Sequence, residues 1–161
     1  MNRLSELNIS NKNLVVRVDM NVPIKDGAVV DNTKIIACMP TIKFALKNNA
    51  KVLLITHLGR PTEGSFEEQF SLKPLVKEIS RILECKVDLV DSLDSTEIFN
   101  CSSNVQILEN IRFFAGEKTN SNELGRALSS LGDIYVFDAF GTSHREQAST
   151  HSAIAHSNSA C

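Results

Sequence analysis

Five short stretches of this sequence are apolar at almost every consecutive position: residues 14–18, 52–56, 87–90, 105–108 and 134–137. A strand with one face in water alternates apolar and polar residues, so runs rich in Val, Ile and Leu without alternation predict strands buried on both faces. Such strands belong to parallel sheets whose two faces are covered by helices, and segments of helical periodicity separate the runs here. The expected fold is therefore α/β: a three-layer α/β/α arrangement, Rossmann-like, with an open, mostly parallel sheet of five or more strands and helices on both faces.

The helical segments carry their own punctuation. After Asp31 or Asn32 as a cap, Ile35, Ile36, Met39, Ile42, Ala45 and Leu46 recur at helical spacing, and Pro40 is expected to break that helix or mark its start. Ser71 is a plausible cap for a second helix with Pro74 in its first turn and a stripe of Leu75, Val76, Ile79, Ile82 and Leu83. A third is expected from Ser121 to Leu131, stopped by Gly132 in the left-handed conformation. Lys25-Asp26-Gly27 reads as the turn of a small hairpin between Val22 and Val30, and residues 59–70 as a polar loop with room to move over a ligand. The residues after Thr150 carry no stop signal, so residues 1–161 are expected to form one α/β domain cut short at its C-terminal end.

A net charge of −2 and a pI near 6.1 argue against nucleic acid or an acidic membrane as partner. No apolar run approaches the length that crosses a bilayer, and a cytoplasmic protein is expected. Cys38, Cys85, Cys101 and Cys161 have no metal-ligand spacing and are expected to be reduced and mostly buried; no metal site is expected.

Against this acidic background, polar clusters follow four of the strand-like runs: Asp19/Asn21, His57/Arg60, Asn110/Arg112 and His144/Arg145. Ligands of an open parallel sheet bind outside the carboxyl ends of its strands, so these clusters converge on one rim. Guanidinium forks match carboxylate and phosphate oxygens two at a time, and three of them on one rim predict a small, multiply anionic ligand.

The motifs carrying the clusters sharpen the expectation. Val16-Arg17-Val18-Asp19-Met20-Asn21-Val22-Pro23, His57-Leu58-Gly59-Arg60-Pro61, Leu108-Glu109-Asn110-Ile111-Arg112-Phe113 and Asp138-Ala139-Phe140-Gly141-Thr142-Ser143-His144-Arg145 resemble the four signature stretches of phosphoglycerate kinases, in that family's order and spacing. The resemblance implies the N-terminal, 3-phosphoglycerate-binding domain of a two-domain enzyme. It implies that Asp19 and Asn21 hold the glycerate part, that His57, Arg60, Arg112 and Arg145 hold its phosphate and carboxylate, and that Met20, Leu58 and Gly59 are substrate-binding positions beside them. Position 34, where the family carries an arginine that steadies the transferring phosphoryl group, is Lys34 here, expected to be catalytic as well as substrate-binding. A planar fork becomes a point charge. A second departure is Glu146-Gln147, with Glu146 expected to neutralise part of Arg145.

No phosphate-binding glycine loop is present: Gly59 to Gly64 is followed by Ser65-Phe66 rather than Lys. The resemblance therefore implies Mg-ATP or Mg-ADP bound mainly by a C-terminal domain in cis. The chain alone is expected to bind 3-phosphoglycerate or 1,3-bisphosphoglycerate as a monomer, without turnover. Two other readings remain: a standalone phosphometabolite-binding module, and a haloacid-dehalogenase-type phosphohydrolase, which residues 134–142 resemble with Asp138 as nucleophile. The hydrolase needs a later Lys and acidic pair, for which the few residues after Thr142 leave little room.

Overall fold

The computed structural model describes residues 3–161. In chain order the elements are β1 (Asn13–Val18), a hairpin of β2 (Ile24–Lys25) and β3 (Ala28–Val29), α1 (Thr33–Lys47), β4 (Lys51–Ile55), α2 (Lys73–Leu83), β5 (Val87–Val90), β6 (Val105–Leu108), α3 (Asn122–Ser129), β7 (Ile134–Asp138) and α4 (Ala153–His156). All five apolar runs are strands of one parallel sheet, ordered β5-β6-β4-β1-β7. The chain moves outward from β1 on one side, then returns to add β7 on the other. The strand order thus reverses at β1, and the exits of β4, β1 and β7 flank that reversal, where ligands of such sheets bind.

Successive strand residues point to opposite faces, which explains the unbroken apolar runs. Leu14, Val16, Val18, Val52, Leu54, Ile107 and Val136 face one cluster, completed by Ile35, Met39 and Ile42 of α1 and Leu75 and Ile79 of α2. Val15, Leu53, Ile55, Leu108 and Tyr135 face the other, completed by Leu124 and Leu128 of α3 and Ala153 of α4. Three layers follow from two buried faces.

Local signals explain three of the element boundaries. Asp26 and Gly27 both have positive φ (51° and 72°), the pair of angles that matches a two-residue turn to the twist of β2 and β3. Asp31 Oδ1 accepts from both Thr33 N (2.9 Å) and Thr33 Oγ1 (2.6 Å) at the start of α1. Ser121 Oγ accepts from Leu124 N at the start of α3.

Several expectations need correction. Pro40 lies inside α1 without breaking it; the Ile36 carbonyl it leaves without a helical donor belongs to an exposed residue, where solvent reaches it. Ser71 precedes the cap of α2, which is Leu72, and gives its hydroxyl proton to Glu109. Gly132 does not adopt positive φ and α3 ends at Ser129. Gly132 instead lets the chain pass close to β1, where a Cβ would lie 2.7 Å from the Asn13 carbonyl oxygen. Of the thiols, only Cys38 and Cys161 are buried. Beyond these corrections, a π-helical turn (Ala148–Ser152) leads into α4, and the Ser159 and Cys161 carbonyls accept from Tyr135 N and Phe137 N along the outer edge of β7.

The π-turn packs on α3 at Gly125, where a Cβ would meet Ser152 Oγ at 2.2 Å and its carbonyl carbon at 2.8 Å. Gly125→Ala gains helix propensity yet must push these elements apart, and is expected to lower the unfolding free energy by about 1–3 kcal/mol in urea titration. An unchanged or raised midpoint would mean that this contact yields without strain.

Candidate functional site

At the exit of β1, Asp19 Oδ1 accepts from the Asn21 amide (3.3 Å), a local turn that aims both side chains at the neighbouring exits. Asn21 Oδ1 then accepts from Gly59 N (3.1 Å), joining the β1 and β4 exits. Gly59 has φ +60°, and a Cβ there would lie 2.4 Å from the Phe70 ring, so only glycine fits. Its carbonyl accepts from Arg112 Nη1 (2.5 Å), joining β4 to the turn after β6. The three exits form one hydrogen-bonded chain.

Asn110, which sequence reasoning placed in an anion-binding cluster, is consumed in building this chain. Its Oδ1 accepts from Leu58 N and Arg112 N, and its Nδ2 donates to the Leu58 and Phe70 carbonyls at 2.8 and 2.9 Å. It is a buried brace with nothing left for a ligand. The loop over residues 59–70 is likewise pinned rather than free: Gly64 N donates to the Phe113 carbonyl, Lys118 N to Glu63 Oε1, and Phe66 packs edge-on against Phe113.

Met20 and Leu58 lie in the core, leaving only their backbone along the rim. Arg112 is also buried. Arg60 and Arg145 are exposed, and neither guanidinium makes a hydrogen bond or ion pair among the described residues; Glu146 does not pair with Arg145. Arg145 is near enough to depress the affinity of Arg17, His57 and Arg112 for protons, and Arg60 acts on Arg112 in the same way. Four guanidiniums and one imidazole therefore share one field. Lys34, from the first turn of α1, reaches Asp19 Oδ2 at 3.0 Å. Burial opposes the Asp19 charge, but the hydrogen bonds from Lys34 and the Asn21 amide outweigh it and hold its carboxyl below the ordinary range. His144 is exposed and makes no hydrogen bond among the described residues.

Sequence reasoning gave no role to the residues beneath this rim. Arg17 of β1 has no exposed surface. Its Nε donates to Ser149 Oγ (2.9 Å), Nη1 to the Val18 carbonyl, and Nη2 lies 3.3 Å from His57 Nδ1. Ser149 Oγ donates to Glu117 Oε1 (2.6 Å), and Glu117 is fully buried. A charged residue inside an otherwise apolar strand was the one available signal.

Arg60 and Arg145 lie at the surface, with Arg112 and His57 buried beside them. A cavity of about 340 Å³ lies beside the 59–70 loop, lined by Gly64, Phe66, Asp91 and Phe113, with no arginine in its wall. Asp138, the nucleophile of the hydrolase reading, accepts from Thr41 Oγ1 at 2.7 Å and ties β7 to α1.

Burial, then Arg112 and Arg17, push His57 down to about 3. The unfolded chain takes up that proton near pH 6.5 and the native ring does not, so stability falls as pH drops from about 6.5 toward 3. His57 is expected to contribute a loss of about 1.4 kcal/mol per pH unit across that window. Its ring resonances should not titrate between about pH 5 and 8; an NMR midpoint near 6.5 would refute this.

Comparison with known proteins follows the same residues. Residues 4–161 match the family described as Phosphoglycerate kinase. The chain is 46% identical over 160 residues to the phosphoglycerate kinase of Vibrio campbellii, covering 99% of this chain and 41% of that protein. It is also 46% identical over 160 residues to that of Nitratidesulfovibrio vulgaris, covering 40% of it. The structure of phosphoglycerate kinase from Coxiella burnetii superposes with a TM-score of 0.91 at 40% identity, over 98% of this chain and 40% of that one. That from Pyrococcus horikoshii gives 0.80 at 31% identity, over 97% and 40%. The chain thus spans about 40% of the length of the relatives it matches. With its motifs on the strand exits and its fold shared at this identity, the chain belongs to the phosphoglycerate kinase family.

Proposed function

We propose that this chain is the 3-phosphoglycerate half-site of a phosphoglycerate kinase, one domain of an enzyme that catalyses ATP + 3-phosphoglycerate ⇌ ADP + 1,3-bisphosphoglycerate. The observation that carries the reading is the meeting of Arg60, Arg112, Arg145 and His57 at the exits of β4, β6 and β7, with Arg60 and Arg145 unpaired among the described residues. Mutually repelling guanidiniums on one rim destabilise the free protein and are offset when an anion binds between them. Arg60, Arg112 and Arg145 take the phosphate and carboxylate, His57 adds one hydrogen bond, and Asp19 and Asn21 hold the glycerate. Met20, Leu58 and Gly59 shape the backbone beneath them. The reaction runs in the cytoplasm.

Lys34 is the catalytic cation. Half exposed and held by Asp19, it carries a compact ammonium on a flexible stem, able to swing from Asp19 to a phosphoryl group in transfer. The nucleotide and its Mg²⁺ belong to the part of the relatives' length that this chain does not span. The chain by itself, a monomer, binds substrate without turning it over.

Titration of the chain with 3-phosphoglycerate, followed by NMR, is expected to shift Asp19, His57, Arg60, Arg112 and Arg145, while ATP-Mg shifts none of them. Arg112→Ala should weaken binding by about tenfold or more. No response to 3-phosphoglycerate by a folded chain would remove the assignment. In a whole enzyme carrying these residues, Lys34→Ala should lower kcat by about a hundredfold with a much smaller change in KM; an equal loss in affinity with kcat unchanged would take Lys34 out of the chemistry.

A further inference from the structure

We propose that Glu117, Ser149 and Arg17 form a buried relay that holds His57 in the tautomer with its proton on Nε2, so that the ring meets the ligand as a hydrogen-bond donor. The inference rests on the reading of the rim as an anion site and adds to it three buried residues that touch no ligand.

The direction of each hydrogen bond follows from which atoms carry protons. Arg17 has only donors, so His57 Nδ1, 3.3 Å from Arg17 Nη2, must accept. A proton on Nδ1 would set N–H against N–H. The proton of a neutral ring is therefore on Nε2. Nε2 has no partner among the described residues, and none of their buried side-chain nitrogens or oxygens lacks one, so Nε2 opens to the surface. The rim charges Arg112, Asp19 and Arg145 all act on this ring, so its free donor lies in their field.

Arg17 is aimed in turn. The Ser149 hydroxyl has one proton and gives it to Glu117 Oε1 at 2.6 Å, leaving a lone pair for Arg17 Nε at 2.9 Å. Glu117 Oε2 accepts from Ser149 N (2.9 Å), and Tyr135 Oη donates to the Ser149 carbonyl (2.6 Å), which fixes Ser149 from both sides. Every bond runs in one sense, from Arg17 through Ser149 to Glu117, and that sense requires Glu117 as a carboxylate. Burial opposes its charge, while Ser149, Arg17 and Arg112 favour it.

The charges facing each member come from several elements. His57 meets Arg112 after β6, Arg17 in β1, Asp19 after β1 and Arg145 after β7. Arg17 meets Tyr135 in β7, Glu117, Asp19 and Arg145. An imidazolium at this point would add a further cation to the cluster, whereas a neutral ring offers one N–H without that repulsion. Ser149 and Glu117 are positioning residues, acting through Arg17.

The test is long-range ¹H–¹⁵N correlation NMR of the 161-residue chain, which reads the two ring nitrogens of His57 separately. The wild type is expected to show Nε2–H alone from about pH 5 to 8. In Ser149→Ala the ring should mix tautomers, its titration midpoint should rise by about one pH unit or more, and 3-phosphoglycerate affinity should fall about tenfold. Glu117→Gln should move the same signals, and decides with the wild type if Ser149→Ala does not fold. A wild-type ring protonated on Nδ1, or on both nitrogens at pH 7, overturns the relay, as do folded variants with unchanged His57 signals. The expected tautomer in a chain that ignores 3-phosphoglycerate leaves the relay standing and removes the substrate assignment.

Discussion

A guanidinium with no exposed surface sits in β1, an interior strand of the sheet, and the surroundings are arranged to answer it. Burying an ion costs several kcal/mol unless its donors and its charge are both met. For Arg17 the donors go to Ser149, the Val18 carbonyl and His57, and Glu117 supplies the opposite charge at one hydroxyl's remove. Glu117 lies ahead of α3, Ser149 in the π-turn ahead of α4, and Tyr135, which braces Ser149, in β7. One charge thus sets how the second helical layer seats on the sheet. The first layer, with α1 and α2, seats on apolar contact and on the hydrogen bonds of Thr41 to Asp138 and of Ser71 to Glu109.

The same constraint shapes the rim above it. Burial, reinforced by neighbouring arginines, keeps His57 neutral, and Asp19 pairs with Lys34. Asn21, Gly59, Asn110 and Arg112 lock three strand exits into one backbone unit, so charges that repel one another stand on a frame that does not yield. A frame of this kind meets an anion with little rearrangement, which is where binding energy is otherwise lost.

Much of this was legible in the sequence, for physical reasons. Strands buried on both faces leave unbroken apolar runs, and parallel strands place all their exits on one side; from those facts alone, Asp19, His57, Arg60, Arg112 and Arg145 fall on one rim. What stayed hidden depends on contacts between residues far apart in the chain. Arg17 and Ser149 are 132 positions apart, and no local pattern marks Glu117 as the residue that answers a buried arginine. Asn110 misled because its type suits a ligand, and only the positions of Leu58, Phe70 and Arg112 show its four hydrogen-bonding capacities filled. Pro40 misled because propensity is local, whereas α1 is held by the face it buries.

The short pairing of residues 159–161 along β7 concerns what copies of this chain do to one another. A strand with its outer amides unpaired is a template on which another chain can add. Here Tyr135 N and Phe137 N are already taken by the Ser159 and Cys161 carbonyls. The exposed ring of Phe140 stands just beyond that edge, beside Phe137. Peeling three residues away would therefore free two strand amides beside an aromatic ring that already stands in solvent, so this short pairing is what keeps the edge of β7 from joining hydrogen-bonding capacity to exposed apolar surface.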